Sequence, residues 1–303
     1  MKILITGSSG FIGTALGLLL RRKGISVVEY DIRNKKNQDV RSFRVLLSYA
    51  RGMDGIIHLA AVSRVKWGFE NPRKCVDVNI RGTENVLEVA RSLTTASGNK
   101  PWVIFGSSRE VFGEVPELPA DETTVRMPLN VYGITKLAGE ELCKIYSDNY
   151  LLKTRVLRFS NVYSSPHDHL DRVVPKFITA AAQNKPITIH GSGDEFFDFT
   201  YIDDAADGVW RCIGELNKKS IPLFDDFILC TGKPVPFKTL ADLAIAALNS
   251  KSEITFSKAR SYDVSKFYGN PSKAKLKLGF SPKTDIKKGI KLVIEKFRKA
   301  NVV

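Results

Sequence analysis

The chain has 303 residues, 43% hydrophobic and 26% charged, which fits a soluble globular protein of one or two domains. No apolar run approaches the roughly 20 residues of a membrane helix, and strand character from Met1 to Thr6 predicts no secretory or transit segment. Cys75, Cys143, Cys212 and Cys230 lie far apart without CxxC spacing, as expected of buried thiols in a reducing cytoplasm.

The net charge is +14, and from Lys251 onward 14 lysines and arginines face 4 acids. Such a basic end could meet nucleic acid, an anionic membrane surface or a phosphorylated substrate. Within Asp285 to Lys299, however, Ile286, Ile290, Val293 and Phe297 form one apolar stripe with the lysines mostly elsewhere. No aromatic-interleaved basic motif accompanies it, so a solvated helix face is the favoured reading.

In chain order, Lys2–Thr6 is an apolar strand running into Gly7-Ser8-Ser9-Gly10-Phe11-Ile12-Gly13, and a helix is expected over Thr14–Arg22 with Gly24 as its stop. Ser26–Tyr30 is a second strand carrying Asp31 at its carboxyl end. Gly55–Ala60 and Pro101–Gly106 read as strands, Asn79–Leu93 as a helix, and Ser107-Ser108 follow the fourth strand. Another helix begins near Tyr132, and Lys153–Arg158 is again strand-like. Strands alternating with helices predict an α/β, Rossmann-type, doubly wound parallel sheet. After Asn161 the elements shorten, with a helix expected over Val173–Asn184. A division into 1–161 and a smaller α/β lobe over 162–303 follows, with a segment near 196–215 returning to the first part. There is no internal repeat.

A glycine cluster between a first strand and a first helix lets the backbone approach a pyrophosphate, where the helix N-terminus offers free N–H groups. Gly7, Gly10 and Gly13 are spaced GxxGxxG, one residue longer than GxGxxG, and Asp31 lies at the distance expected of a ribose-binding carboxylate. A carboxylate there favours NAD over NADP, although Arg33, Lys35 and Lys36 would soften its repulsion of a 2′-phosphate. Tyr132 and Lys136 are four apart on a helix and share a face. An ammonium beside the phenol is expected to lower its pKa and make Tyr132 a proton carrier for a sugar or alcohol hydroxyl.

The chain resembles the extended short-chain dehydrogenase/reductase family in its nucleotide-sugar epimerase/dehydratase branch. The resemblance rests on Thr6–Gly13, Asp31, His58-Leu59-Ala60-Ala61, Asn79, Ser107-Ser108, Val111-Phe112-Gly113, Tyr132-xxx-Lys136 and Arg158–Tyr163. Asp198-Phe199, Asp203-Asp204, Ser272-Lys273-Ala274 and Leu278-Gly279-Phe280 extend it over nearly the whole chain. It implies that Gly7, Gly10, Phe11, Ile12 and Gly13 hold the pyrophosphate of NAD, Asp31 its ribose, and Asp39-Val40 its adenine. Leu59, Ala60 and Ala61 would pass under the cofactor, with Asn79, Ser107, Tyr132 and Lys136 completing that site. Ser108 would bond the reacting hydroxyl, and Ser63, Asn161, Arg172, Lys176 and Arg260 are candidate contacts to a nucleotide-sugar substrate. A homodimer pairing helices near residues 79–95 and 132–148 is the implied assembly.

The activity implied is 4-epimerisation of a UDP- or other nucleotide-hexose through a transient 4-keto sugar. Decarboxylation of a UDP-glucuronate-type substrate, 4-keto-sugar reduction, or a non-catalytic NAD-binding protein touching nucleic acid are the alternatives. Family dehydratases resemble Thr-Asp-Glu where this chain has Ser108-Arg109-Glu110, so the acid for 4,6-dehydration is missing. Glu110 reads either as a base acting at carbon 5 or as an ion-pair partner of a neighbouring Arg. Two further departures concern phosphate binding: Phe197 replaces an Arg before Asp198-Phe199, and Ser164-Ser165-Pro166 replaces Gly-Pro. His167 and His169 lack a carboxylate or Cys partner, so no metal is expected.

Overall fold

In a computed structural model of the chain, the structure describes residues 1–164, 168–218, 221–259 and 264–303. The first half runs β1 (Lys2–Thr6), α1 (Phe11–Arg22), β2 (Ser26–Tyr30), α2 (Phe43–Ala50), β3 (Gly55–His58), α3 (Val65–Glu70) and α4 (Pro72–Val76). It continues through α5 (Gly82–Ser92), β4 (Trp102–Ser108), α6 (Val131–Tyr150) and β5 (Thr154–Phe159). The second half begins with β6 (Asn161–Tyr163), α7 (Val173–Ala182), β7 (Ile187–His190), β8 (Phe196–Tyr201), α8 (Ile202–Leu216) and β9 (Phe224–Leu229). Then come β10 (Pro234–Pro236), α9 (Phe237–Leu248), β11 (Ile254–Ser257), β12 (Lys266–Phe267), α10 (Ser272–Leu278) and α11 (Ile286–Lys299).

Six strands form one parallel sheet in the order β2-β1-β3-β4-β5-β9. Its inner strands β1, β3 and β4 are mostly apolar and buried, because both faces are covered. Side chains alternate between faces along each strand. Ile3, Ile5, Ile57 and Ile104 pack with Leu16 and Leu20 of α1 and Val209 and Ile213 of α8. Leu4, Ile56, Val103 and Phe105 pack on the opposite side with Val86 and Leu87 of α5 and Cys143 and Tyr146 of α6. Chain order reverses between β1 and β3, and ligands of open α/β sheets bind beyond the carboxyl ends at such a point.

The second half supplies a smaller layer. β8 pairs with β6, β10 and β12, and β7 pairs with β11. Of residues 196–215, Phe196–Tyr201 therefore belong to the second sheet, while α8 packs on α1 and the following β9 joins the first sheet beside β5. α11 buries Ile290, Val293, Ile294 and Phe297 and leaves Lys287, Lys288 and Lys291 exposed, the amphipathic arrangement its spacing predicts. The helix expected from Asn79 starts at Gly82, since Asp77–Arg81 form a wider π-helical turn.

Candidate active site

The glycine loop is shaped by contacts that leave no space for a side chain. Gly7 has φ +73°, and a Cβ there would lie 2.6 Å from the Ala60 nitrogen. A Cβ on Gly13 would come within 2.2 Å of the Gly7 carbonyl oxygen, which accepts the Gly10 N–H at 2.9 Å. The chain thus folds back tightly before α1, whose N-terminus carries no side-chain cap. Its first N–H groups remain available for an anion. Phe11 and Ile12 open this helix, and Leu59, Ala60 and Ala61 run beside Gly7, with Leu59 N–H donating to the Thr6 carbonyl at 3.0 Å.

Asp31 is buried at the end of β2, where its carboxylate accepts the Ser9 N–H at 3.0 Å and the Arg33 N–H at 2.8 Å. Those bonds fix the carboxylate beside the glycine loop, as ribose recognition requires. The cradle therefore fits a dinucleotide: backbone space at Gly7 and Gly13, uncapped N–H groups at α1, and one oriented acid. Asp39 is placed differently. Arg41 hydrogen-bonds its carboxylate and holds it below the usual carboxylate range, so this acid is committed to a partly exposed ion pair. Val40 itself is buried against Gly82.

Two expected cofactor residues have side chains engaged within the protein. The Ser107 hydroxyl donates to the buried Glu140 carboxylate, away from the loop. Adjacent residues of a strand face opposite sides, so only Ser108 can face the site. Asn79 accepts the Val62 N–H at 2.7 Å and donates to Thr135 at 2.8 Å and to the Val62 carbonyl at 3.2 Å. Its amide ties the loop after β3 to α6 and positions the site from behind.

Tyr132 and Lys136 sit on the first two turns of α6. Asn130 caps the helix by accepting the Gly133 N–H at 2.9 Å. Gly133 lets α6 meet the turn after β4, because a Cβ there would lie 2.6 Å from the Glu110 carbonyl oxygen. Ser108 lies close enough to Tyr132 to favour the ionised form of its phenol. Tyr132 and Lys136 are both buried.

The electrostatics differ from the expectation. Burial dominates at Tyr132 and pushes its pKa above the ordinary phenol value, with the Ser108 hydrogen bond opposing it only in part. Lys136 donates to the Gly106 carbonyl at 2.8 Å and lies 5.9 Å from the Tyr132 ring centre. Burial lowers Lys136 to about 8. Tyr132 is thus held as a neutral phenol, a state that spacing alone could not disclose. Beneath them, His58 accepts or donates between Thr6 and Thr83, and burial drives it down to about 3, so it is a neutral structural residue.

Beyond Ser108, a cavity of about 270 Å³ opens between the two layers. Arg109, Glu110, Asn161, Arg172, Lys176 and Phe197 are among its walls. Glu110 is buried, pairs with Arg109 at 2.8 Å and accepts from Asn130 at 2.9 Å, so the ion-pair alternative is the arrangement observed. Asn161 accepts the Arg109 Nε–H at 3.0 Å. Arg172 pairs with Asp168 at 3.1 Å and lies 5.9 Å from the Phe11 ring, linking the cavity to the glycine loop. Lys176 donates to the Thr188 carbonyl at 3.4 Å. Ser63 is exposed and outside the cavity wall; its neighbour Arg64 is in the wall, paired with Asp171. Arg260 and His167 lie outside the described residues. Sequence reasoning missed Arg64 and treated Arg109 only as a departure from a motif.

A family model described as the NAD dependent epimerase/dehydratase family matches residues 3–222. The chain is 30% identical to UDP-glucuronate 4-epimerase 1 of Arabidopsis thaliana, over 96% of this chain and 75% of that protein. It is also 30% identical to a putative UDP-glucose 4-epimerase of Methanocaldococcus jannaschii, over 99% of both chains. A crystal structure of UDP-glucose 4-epimerase with UDP-glucose from Thermotoga maritima superimposes with a TM-score of 0.89 at 27% identity, covering 99% of this chain and 100% of that one. A tight glycine cradle, an oriented acid at the end of the second strand and a paired Ser108–Tyr132 thus occur in a chain that belongs to the NAD dependent epimerase/dehydratase family.

Proposed function

We propose that this protein is an NAD-dependent UDP-sugar 4-epimerase. The observation that supports the reading is Ser108 beside the buried Tyr132, one residue before Arg109 and Glu110 of the cavity wall. Gly7, Gly10, Phe11 and Ile12 would hold the pyrophosphate, Asp31 the adenosine ribose and Lys136 the second ribose. When bound, NAD supplies the hydride acceptor and donor for carbon 4. Ser108 orients the carbon-4 hydroxyl, and Tyr132 takes its proton and later returns it. Burial raises the phenol's pKa, so Tyr132 keeps its proton until an opposite charge beside it favours release. Asn161, Arg172 and Lys176 would hold the nucleotide's phosphates.

A homodimer through the helices near 79–95 and 132–148 is part of this reading, supported by exposed Ile134 and Ile145, three turns apart on α6. A cytoplasmic location is supported by four buried free cysteines. No helix among the described residues is long and apolar enough to cross a membrane.

Incubating the purified protein with UDP-glucose and with UDP-glucuronate, without added NAD, and following the sugar protons by NMR tests the activity. The carbon-4 isomer should accumulate to a constant ratio. Loss of the carboxyl group as carbon dioxide, or no isomer from any UDP-sugar, would overturn it.

A further inference from the structure

Arg109 is built into the cavity wall in a way that the fold alone does not require. It follows Ser108 directly, so the two Cα atoms are about 3.8 Å apart. Three contacts fix its guanidinium. Nε donates to Asn161 at 3.0 Å, Nη2 pairs with Glu110 at 2.8 Å, and the group lies 4.4 Å from the Phe197 ring centre. Phe267 lies on it as well, at 5.8 Å. Glu110 is oriented in turn by Asn130, so the acid–base pair is a fixed unit.

Nη1 is buried and has no partner. Burying donors of a cation without an acceptor is unfavourable, and native structures keep such groups mainly where something else completes them. Among the buried atoms without partners in the described residues, Arg109 Nη1, the Tyr163 hydroxyl and Asp168 Oδ2 belong to cavity-wall residues, and Arg109 Nη1 is the cationic donor of the three. A rigid guanidinium with two free N–H bonds suits an anionic oxygen pair.

We propose that Arg109 is a specificity-determining residue that hydrogen-bonds a carboxylate on carbon 5 of the sugar, making a UDP-hexuronate the preferred substrate. The inference rests on the reading of the chain as a UDP-sugar 4-epimerase. A UDP-sugar has two anionic groups that could meet this guanidinium. The diphosphate hangs from carbon 1, across the ring from carbon 4. A carboxylate on carbon 5 is attached to the atom next to the reacting one. On that reading Ser108 addresses the carbon-4 hydroxyl, and Arg109, bonded to it in the chain, lines the cavity. Phe197 completes the arrangement by presenting an aromatic face to the guanidinium, which leaves its edge for the carboxylate.

The test compares kcat/KM for UDP-glucuronate and UDP-glucose in the wild type, Arg109→Lys, Arg109→Gln and the double variant Arg109→Gln/Glu110→Gln. The double variant removes the buried acid that Arg109→Gln would leave uncompensated. In it, the ratio of UDP-glucuronate to UDP-glucose efficiency should fall by about 10- to 100-fold, chiefly through KM. Arg109→Lys should recover part of that ratio. A merely structural residue would depress both substrates equally and leave the ratio unchanged, and so would a diphosphate contact; either result overturns the inference. Calorimetric binding of UDP alone identifies the second case, because it weakens only if Arg109 holds phosphate. If the wild type isomerises neither sugar, the parent reading fails, and calorimetry with UDP-glucuronate and UDP-glucose still reports Arg109. Equal weakening of both by Arg109→Gln would then sink the inference by itself.

Discussion

The cofactor cradle and the substrate cavity are made in opposite ways. The cradle is backbone: a glycine turn, a helix start and one acid at the end of β2, all within Gly7–Asp31. The cavity is side chains: Arg109 and Glu110 after β4, Asn161 on β6, Lys176 on α7 and Phe197 on β8. A backbone site tolerates few residue types at each position and keeps its spacing. A side-chain site can be rebuilt one residue at a time, as the guanidinium at Arg109 opposite Phe197 illustrates.

The comparison can be broken most severely at its junction. Tyr132→Phe should lower turnover by about 100- to 10,000-fold, the scale of a lost general acid/base. Single-turnover assays with bound nucleotide would measure this, and near-normal rates would remove Tyr132 from the chemistry.

Lys136 sharpens the electrostatic side. Its pKa is about 8 in the folded chain against an ordinary 10.5, so the unfolded chain binds more protons between those values. Wild-type stability should therefore rise with pH across that window relative to Lys136→Met, by at most about 3 kcal/mol. Urea midpoints of both proteins from pH 7 to about pH 10.5 report the difference, and parallel profiles would show that Lys136 is not charged at a cost when folded.

Gly13→Ala probes the cradle alone. The added Cβ would meet backbone 2.2 Å away, so a loss of about 2–3 kcal/mol and of nucleotide binding is expected. Gly214 on α8 is the control, because a Cβ there has nothing within 4 Å. Gly214→Ala should be neutral or stabilising by about 0.5–1 kcal/mol. Equal effects at the two glycines in thermal unfolding would mean that the cradle is not sterically required.

Legibility in the sequence follows the same division. Gly7, Gly10, Gly13 and Asp31 are readable because their constraints are local and their order is fixed by β1, α1 and β2. Tyr132 and Lys136 are readable as a helical pair, but the raised phenol is not, because burial depends on everything packed around α6. Strand alternation already puts Ser107 and Ser108 on opposite faces. The bonds of Asn79 are not legible, since its partners Val62 and Thr135 belong to different elements. Arg109 meets Phe197 across 87 intervening positions of other structure, and no spacing rule spans such a distance.

The late arrival of α8 and β9 has a practical consequence for anyone dissecting the molecule. A fragment cut near residue 161 would contain every nucleotide motif yet expose the apolar flank of β5, where β9 belongs, together with the α1 surface that α8 covers. Bare strand flanks of this sort recruit other chains. The dinucleotide half is therefore not a detachable module: its last wall is supplied by polypeptide that has first passed through the other layer.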